Sequence, residues 1–573
     1  MPPKTTWRAR RISFMHRVHA RRAGRADAAT AFVSAPEPRS IGVVARGRQL
    51  IAGNFLFSGL LVEGPQLSIW DIADQKPEVA DEIHGCTWLD DLAAVGDDRA
   101  RTKAQRWVFD WITRYGKGKG PGWTPDLTGR RVIRWINHGF FLLRNQDKAT
   151  AQTFFESLAR QTLFLSRRWQ TAAPGLPRFE ALAGTIYAGL SLEGMEDQVA
   201  RAVAALAQDC ATQIDEEGGI VTRNPEELLE VLTLLNWTID ALRSTERDVP
   251  PDIMRALIRV VPTLRALRHA DGSLARFHGG GAGVEGRLEH AFAASGVKDV
   301  PRKGLHMGFA RLTGGRTTLI IDAAAPPQGD ASGSAHASTL GMEVTSGRRP
   351  LIVSCGSGER FGDEWRRASR ATPSHSLLGL DGVSSSHLGK AADLLTEVPT
   401  ITRANLVKDR TLELSHNGYQ PSHGLTYARI LTLSVDGRML EGEELLTTLE
   451  GNDKSTFDRA LDQVADAGLA FSVRFHLHPD VEPRLDMGDT AVSMTLKSGE
   501  VWVLRHDGVA DLALAPSVYL QKGRLKPRAT QQVVLSGRAM SYATRVRWSL
   551  AKAQDTPRAV RDLVQEDPMD VTY

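Results

Sequence analysis

The chain has 573 residues, 42% of them hydrophobic and 24% charged, which excludes a largely disordered protein and is too long for one ordinary core. Its 71 Lys and Arg against 67 Asp and Glu leave a net charge of +4, so no general polyanion-binding surface follows. Three scattered cysteines (Cys86, Cys210 and Cys355) with no CxxC pair exclude a disulfide framework and a cysteine zinc site.

The basic excess is local. Residues 1–25 hold eight Lys or Arg and no acid, without the apolar run of a secretory signal. Residues 1–40 are therefore expected to form a basic, loosely ordered tail. The apolar stretch from Leu50 to Val62 is interrupted by Gly53, Asn54, Ser58 and Gly59 and falls short of the ~20 residues that cross a bilayer. A cytoplasmic protein without a transmembrane segment is the expectation.

Apolar residues then recur at three and four: Trp107 and Trp111; Ile133, Ile136, Phe140 and Leu143; Phe154 and Leu158; Leu228, Val231, Leu232 and Leu235. Breakers such as Pro174-Gly175, Gly218-Gly219, Pro250-Pro251 and Gly279-Gly280-Gly281 separate these runs. The pattern predicts an all-α domain of paired helices over residues 41–300. Asn224-Pro225-Glu226-Glu227 reads as an N-cap, a proline at the first helical position and acids in the first turn.

After about residue 304 the period becomes two. Thr317–Ile321, Leu351–Val353, Thr411–Ser415, Ala470–Phe475 and Val501–Leu504 read as strands, with turns at Asp381-Gly382 and Asp436-Gly437. Residues 301–573 are expected to form an antiparallel β-sandwich, so the fold class is α then β in two blocks. GxGxxG after a strand, GxxxxGK[ST], HExxH and GxSxG are all missing, which removes the usual signatures of dinucleotide binding, nucleotide hydrolysis, zinc proteolysis and serine hydrolysis.

Several polar clusters remain. His336 and His375, some 39 positions apart, either share a metal ion on neighbouring strands or are hydrogen-bonded sheet histidines. In Arg474-Phe-His476-Leu-His478 the polar side chains alternate onto one sheet face, as a metal pair or a solvated surface. Trp135 and His138 share a helix face beside Asn137, as a sugar platform or as core packing. The segment from His269 to His278, with its glycines, reads equally as a ligand loop or a turn.

Taken together, Arg131-Val-Ile-Arg-Trp135-Ile-Asn137-His138, the run from Asp215 to Pro225, His336, and Arg370, Thr372 and His375 followed by Asp381-Gly382 resemble the heparinase II/III-like polysaccharide lyases. The likeness is to their cytoplasmic-looking proteobacterial branch. It implies an incomplete (α/α) toroid followed by an antiparallel β-sandwich. It also implies β-elimination on a uronate-containing glycan: a base takes the C5 proton, an acid protonates the leaving oxygen, and a cation or amide neutralises the carboxylate. On this reading His138, Tyr187, Arg223 and His375 carry the chemistry. Trp135, Asn137, Arg178, Asn224, His278 and Arg370 hold substrate, and His336 with His375 are what remains of a structural zinc set.

The sequence departs from the family at telling places. The family's Asn-His pair falls on Leu176-Pro177, the base tyrosine on Glu227, a second zinc histidine on Ser334, and the zinc aspartate on Ser354 beside Cys355. The function read from the sequence is a lyase acting on an acidic glycan or oligosaccharide by β-elimination; the alternative is a catalytically degenerate relative that binds a glycan or cell-envelope precursor. The partner expected is a glycan rather than a nucleic acid, no cofactor is required, and a homodimer is left open.

Overall fold

The computed structural model describes residues 7–24, 29–33, 39–73, 76–298, 302–389, 394–407, 410–465 and 467–556. The stretches of period three and four are helices. The longer ones are α1 (Trp7–Ala23), α2 (Asp98–Tyr115), α3 (Pro125–Asn137), α4 (Lys148–Arg168), α5 (Leu176–Ser191), α6 (Val199–Gln213), α7 (Pro225–Ser244) and α8 (Pro251–Ala266). Their starts follow local chemistry. Asp97 and Asp147 accept the amides of Ala100 and Thr150 at 2.7 Å, and proline opens α3, α7 and α8. Asn224 Oδ1 accepts from the Glu226 amide at 3.0 Å, so the expected N-cap of α7 is present.

The helical core is aromatic. Trp88, Trp107, Trp111 and Trp135 are fully buried, with Trp88 edge-on to Trp107 and Trp111 edge-on to Trp135, each at 5.3 Å between ring centres. The buried Arg131 guanidinium lies 4.0 Å over the Trp111 ring and donates to Gln161 Oε1 and to the carbonyls of His84 and Gly122. Neutral acceptors thus satisfy this cation without a carboxylate. Helices α3 and α5 meet at glycines. A Cβ on Gly184 would lie 2.6 Å from the Gly129 Cα, and one on Gly129 would overlap the Glu180 carbonyl oxygen.

The stretches of period two are strands: β1 (Phe309–Gly314), β2 (Thr317–Asp322), β3 (Met342–Ser346), β4 (Arg349–Val353), β5 (Leu378–Leu380), β6 (Ile401–Val407), β7 (Thr411–Tyr419), β8 (Leu425–Leu433), β9 (Met439–Thr447), β10 (Leu469–Leu477), β11 (Val481–Asp486), β12 (Ala491–Leu496), β13 (Val501–His506), β14 (Asp511–Tyr519), β15 (Arg528–Ala539) and β16 (Ala543–Gln554). One antiparallel sheet runs β6-β7-β8-β9-β16-β13-β12-β11 and the other β14-β15-β10-β4-β3-β2-β1, with β5 added against β10. Leu412, Leu414, Leu431 and Leu433 of the first sheet share one buried core with Leu319, Ile321, Phe471, Val473, Phe475 and Leu535 of the second. Within that core Arg429 and Glu444 stand directly opposite on β8 and β9, fully buried. Glu444 also accepts from Tyr427 Oη at 2.5 Å and Trp548 Nε1 at 2.9 Å.

Two expectations need correction. Trp7–Ala23, inside the segment expected as a loose tail, is the helix α1, because Ile12, His16, Ala20 and Ala23 give it a face to dock: the His16 ring stands edge-on to Phe164 of α4 at 5.6 Å. Residues 1–6, 25–28 and 34–38 of that segment lie outside the described residues. The domain boundary is also less simple than one cut near 300. Met1–Glu216, Glu227–Val261 and Glu289–Lys298 form one compact unit, whereas Glu217–Glu226, Pro262–Leu288 and Asp299–Tyr573 form the other. Two segments read as helical-domain sequence therefore belong with the sheets.

Gly129→Ala tests the helix crossing. Intrinsic propensity favours alanine by up to about 1 kcal/mol, but overlap with a backbone carbonyl is relieved only by separating the helices. Urea denaturation should show a net loss of roughly 1–3 kcal/mol. An unchanged or raised midpoint would mean that α3 and α5 do not approach this closely.

Candidate functional site

Within the helical unit, three residues nominated from sequence lie at the end of α3. Trp135 is wholly enclosed, stacked on Phe154 at 5.7 Å, so it is core packing and not an open sugar platform. Asn137, also buried, accepts a 2.6 Å hydrogen bond from the Tyr187 hydroxyl on α5. His138 caps α3, with Nε2 2.9 Å from Asp90 Oδ1 and 3.2 Å from Ser40 Oγ. Burial alone would raise the Asp90 carboxyl, but Arg134 at 2.9 Å and His138 outweigh it and hold it at about 2. Arg178, in the first turn of α5, donates to the Ala172 carbonyl at 2.9 Å and lies 3.9 Å from Asp209. Leu176 and Pro177 begin the same helix and offer no polar side chain.

Within the sheet unit, the structure brings together Arg223, His278, His336, His375 and Arg370, all buried. Two of them, Arg223 and His278, are anchored by Asp322 at the end of β2, which sequence reading missed. Asp322 Oδ1 accepts from Arg223 Nη2 at 2.6 Å, Oδ2 accepts from Ser338 Oγ at 2.7 Å, and His278 Nε2 lies 3.3 Å from Oδ2. Burial opposes the Asp322 charge, yet Arg223 and His278 keep its carboxyl far below the usual range. One signal could have exposed it: an acid closing the otherwise enclosed strand Thr317–Asp322 must find partners. Arg223 also donates to the carbonyls of Met307, Gly308, Ala324 and Ala325, so its fork is consumed by the backbone. Arg370 holds the carbonyls of Ala335 and Ser332, each at 2.7 Å.

The histidine tautomers follow from their neighbours. The His336 amide donates to His278 Nδ1 at 3.2 Å, which leaves His278 Nε2 to carry the hydrogen toward Asp322. The Gly279 amide donates to His336 Nε2 at 3.1 Å, so the single lone pair of a neutral His336 ring is taken. Gly279 makes this possible: its φ is 84° and a Cβ there would lie 2.7 Å from Ser334 Cβ. The glycine run that left ligand loop and turn open is thus a packed turn, in which Gly281 donates to Glu226 at 2.9 Å. His375 Nδ1 lies 3.2 Å from Ser354 Oγ, and its ring centre is 5.0 Å from that of His336.

These residues do not fit a zinc set. His336 has no free lone pair, Ser354 replaces a carboxylate, and Cys355 turns to His476 Nδ1 at 3.5 Å. No third His, Cys, Asp or Glu joins His336 and His375 in a metal-holding group among the described residues. The strand face expected to be solvated is not: His476 is buried, with Nε2 2.9 Å from the Pro373 carbonyl, and His478 is nearly so. Sequence reading also passed over Glu343, which binds His269 Nε2 at 3.0 Å and the Arg276 amide at 3.1 Å.

Burial, reinforced by the neighbouring His476 and His278 rings, pushes His375 down to about 3, and burial lowers His278 and His336 as well. Folded-state values below the unfolded one mean that the unfolded chain binds the extra protons. Stability should therefore fall as pH drops below about 6.5, with up to about 1.4 kcal/mol per pH unit from each such ring. Urea midpoints between pH 6.5 and 5 should show a shallower slope for His375→Gln, and equal slopes would contradict a neutral, buried His375. Asp322→Asn should cost roughly 3–5 kcal/mol at neutral pH, because it strands the Arg223 charge. A near-neutral effect would show that the carbonyls alone suffice.

Comparison with known proteins agrees with this architecture. Residues 298–549 match the heparinase II/III-like C-terminal family model. FtsZ-localized protein C of Caulobacter vibrioides (strain NA1000 / CB15N) is 32% identical over 537 residues, spanning 90% of this chain and 89% of that protein. A crystal structure of heparinase III matches with a TM-score of 0.67 at 13% identity, covering 94% of this chain and 89% of its own. Heparan sulfate lyase HepC from Pedobacter heparinus matches with a TM-score of 0.55 at 13% identity, covering 95% and 89%. At such identities the structural likeness shows the fold, an α/α toroid followed by a β-sandwich. No helix among the described residues is long and apolar enough to cross a membrane. By sequence and by architecture, the chain belongs to the heparinase II/III-like family.

Proposed function

We propose that this chain is a non-cleaving heparinase II/III-like protein that works by binding: it holds a glycan or cell-envelope precursor, in association with FtsZ. One observation carries the reading. The groups nominated for β-elimination, His138, Tyr187, Arg223 and His375, are all buried, and the first three are spent on structural partners. Elimination needs a group to neutralise the uronate carboxylate, a base for the C5 proton and an acid for the leaving oxygen. Arg223 is bound to Asp322 and four carbonyls, and Tyr187 gives its proton to Asn137. A histidine held at about 3 is a weak base at neutral pH. Leu176 and Pro177 have no group to offer, and an acid at Glu227 repels a uronate. The FtsZ setting is drawn from the relative, whose name records such a localisation.

The competing reading is a lyase, and the observation that favours it is His375 Nε2, which has no hydrogen-bond partner among the described residues. Purified chain incubated with uronate-containing glycans, followed in the ultraviolet band of the unsaturated uronate product, separates the two. The expected outcome is no rise, with saturable binding to a glycan or precursor and co-sedimentation with FtsZ from the same cell. A rise that disappears in Tyr187→Phe would overturn the proposal and establish β-elimination.

A further inference from the structure

Helix α1 has two faces, and the inner one seats it on the fold. The inner face carries His16, Ala20 and Ala23, with Arg168 Nε donating to His16 Nδ1 at 3.2 Å. On the outer face, at 100° per residue, Trp7, Phe14 and Val18 fall within about 40° of one another. Trp7 is 76% exposed and Phe14 63%, although both side chains are large and apolar. Exposed Arg10, Arg17 and Arg21 flank this stripe on one side and exposed Arg11 and Arg22 on the other. No acid occurs anywhere in the 17 residues.

We propose that the outer face of α1 docks this chain on an anionic lipid surface. An aromatic line bordered on both sides by cations is the layout of a helix lying in the plane of a membrane interface. There the rings enter the headgroup boundary and the guanidinium groups bind lipid phosphates. Tryptophan suits that depth, with an apolar body and a polar N–H. The inner face keeps its own contacts, so docking asks for no unfolding. The charge pattern favours lipid over nucleic acid. The whole chain is +4, yet its first 25 residues hold eight cations and no acid, so the remainder is net acidic and offers no continuing basic track. One short basic face with an apolar centre matches a planar anionic surface better than a polynucleotide.

The test is sedimentation of the full-length chain with vesicles of phosphatidylcholine alone or mixed with phosphatidylglycerol, at rising salt. The chain should pellet with the mixed vesicles only, and less so as salt screens the arginines. Trp7→Ala with Phe14→Ala should weaken binding about tenfold or more by removing apolar burial. Arg17→Gln, Arg21→Gln and Arg22→Gln together should do likewise by removing charge. Both sets lie on exposed positions, so urea midpoints should stay at the wild-type value and separate lost docking from lost folding. Equal binding to both vesicle types, or undiminished binding by both variants, would overturn the proposal. So would binding to single-stranded RNA that survives Trp7→Ala with Phe14→Ala, in a chain that ignores vesicles.

Discussion

A buried carboxylate sets the terms for the sheet unit. Asp322 has no solvent contact, so its charge is tolerable only with partners held in place. Arg223 supplies the countercharge from a residue whose own backbone is left-handed, with φ of 50°. That strained conformation is held by the bonds the side chain makes to four carbonyls and to Asp322. Ser338 and His278 complete the shell, and His278 in turn receives the His336 amide. A cation so fully occupied has little left to give a substrate carboxylate.

The same solution recurs. Glu343 is matched with Arg276 and His269, and Glu444 with Arg429, Tyr427 and Trp548. Each buried acid has one arginine and at least one further donor. Such pairs add little net stability over well-packed apolar residues, but each is costly to break because one charge would be left alone. Their placement constrains strand register, since Arg429 and Glu444 satisfy each other only when β8 and β9 pair as they do.

Much of the architecture was legible because it rests on period. Thr317–Asp322, Thr411–Tyr419 and Leu469–Leu477 contain the strands read from alternation, and the N-cap at Asn224 was read from four residues. What escaped had a physical reason in each case. Spacing says that Trp135 and His138 share a face, but it does not say whether that face meets solvent or Phe154. A run rich in arginine reads as a tail when the small residues that seat it, Ala20 and Ala23, carry almost no hydropathy signal. Asp322 and Glu343 were passed over because a single acid in an apolar strand looks like noise until its arginine, distant in sequence, is brought beside it. The family resemblance supplied the fold but could not supply the roles, since roles depend on which bonds each side chain has already made.

Cys355 carries a separate implication. The Pro373 carbonyl can only accept, so His476 Nε2 holds the ring hydrogen and Nδ1 turns its lone pair to Cys355 Sγ at 3.5 Å and Ser517 Oγ at 2.7 Å. Burial pushes the thiol up, and His476, Ser517 and Arg276 together more than offset that, leaving it below the usual cysteine range. The sulfur is sealed from reagents. Its alkylation requires local opening, so the rate of thiol modification times that opening from within the fold.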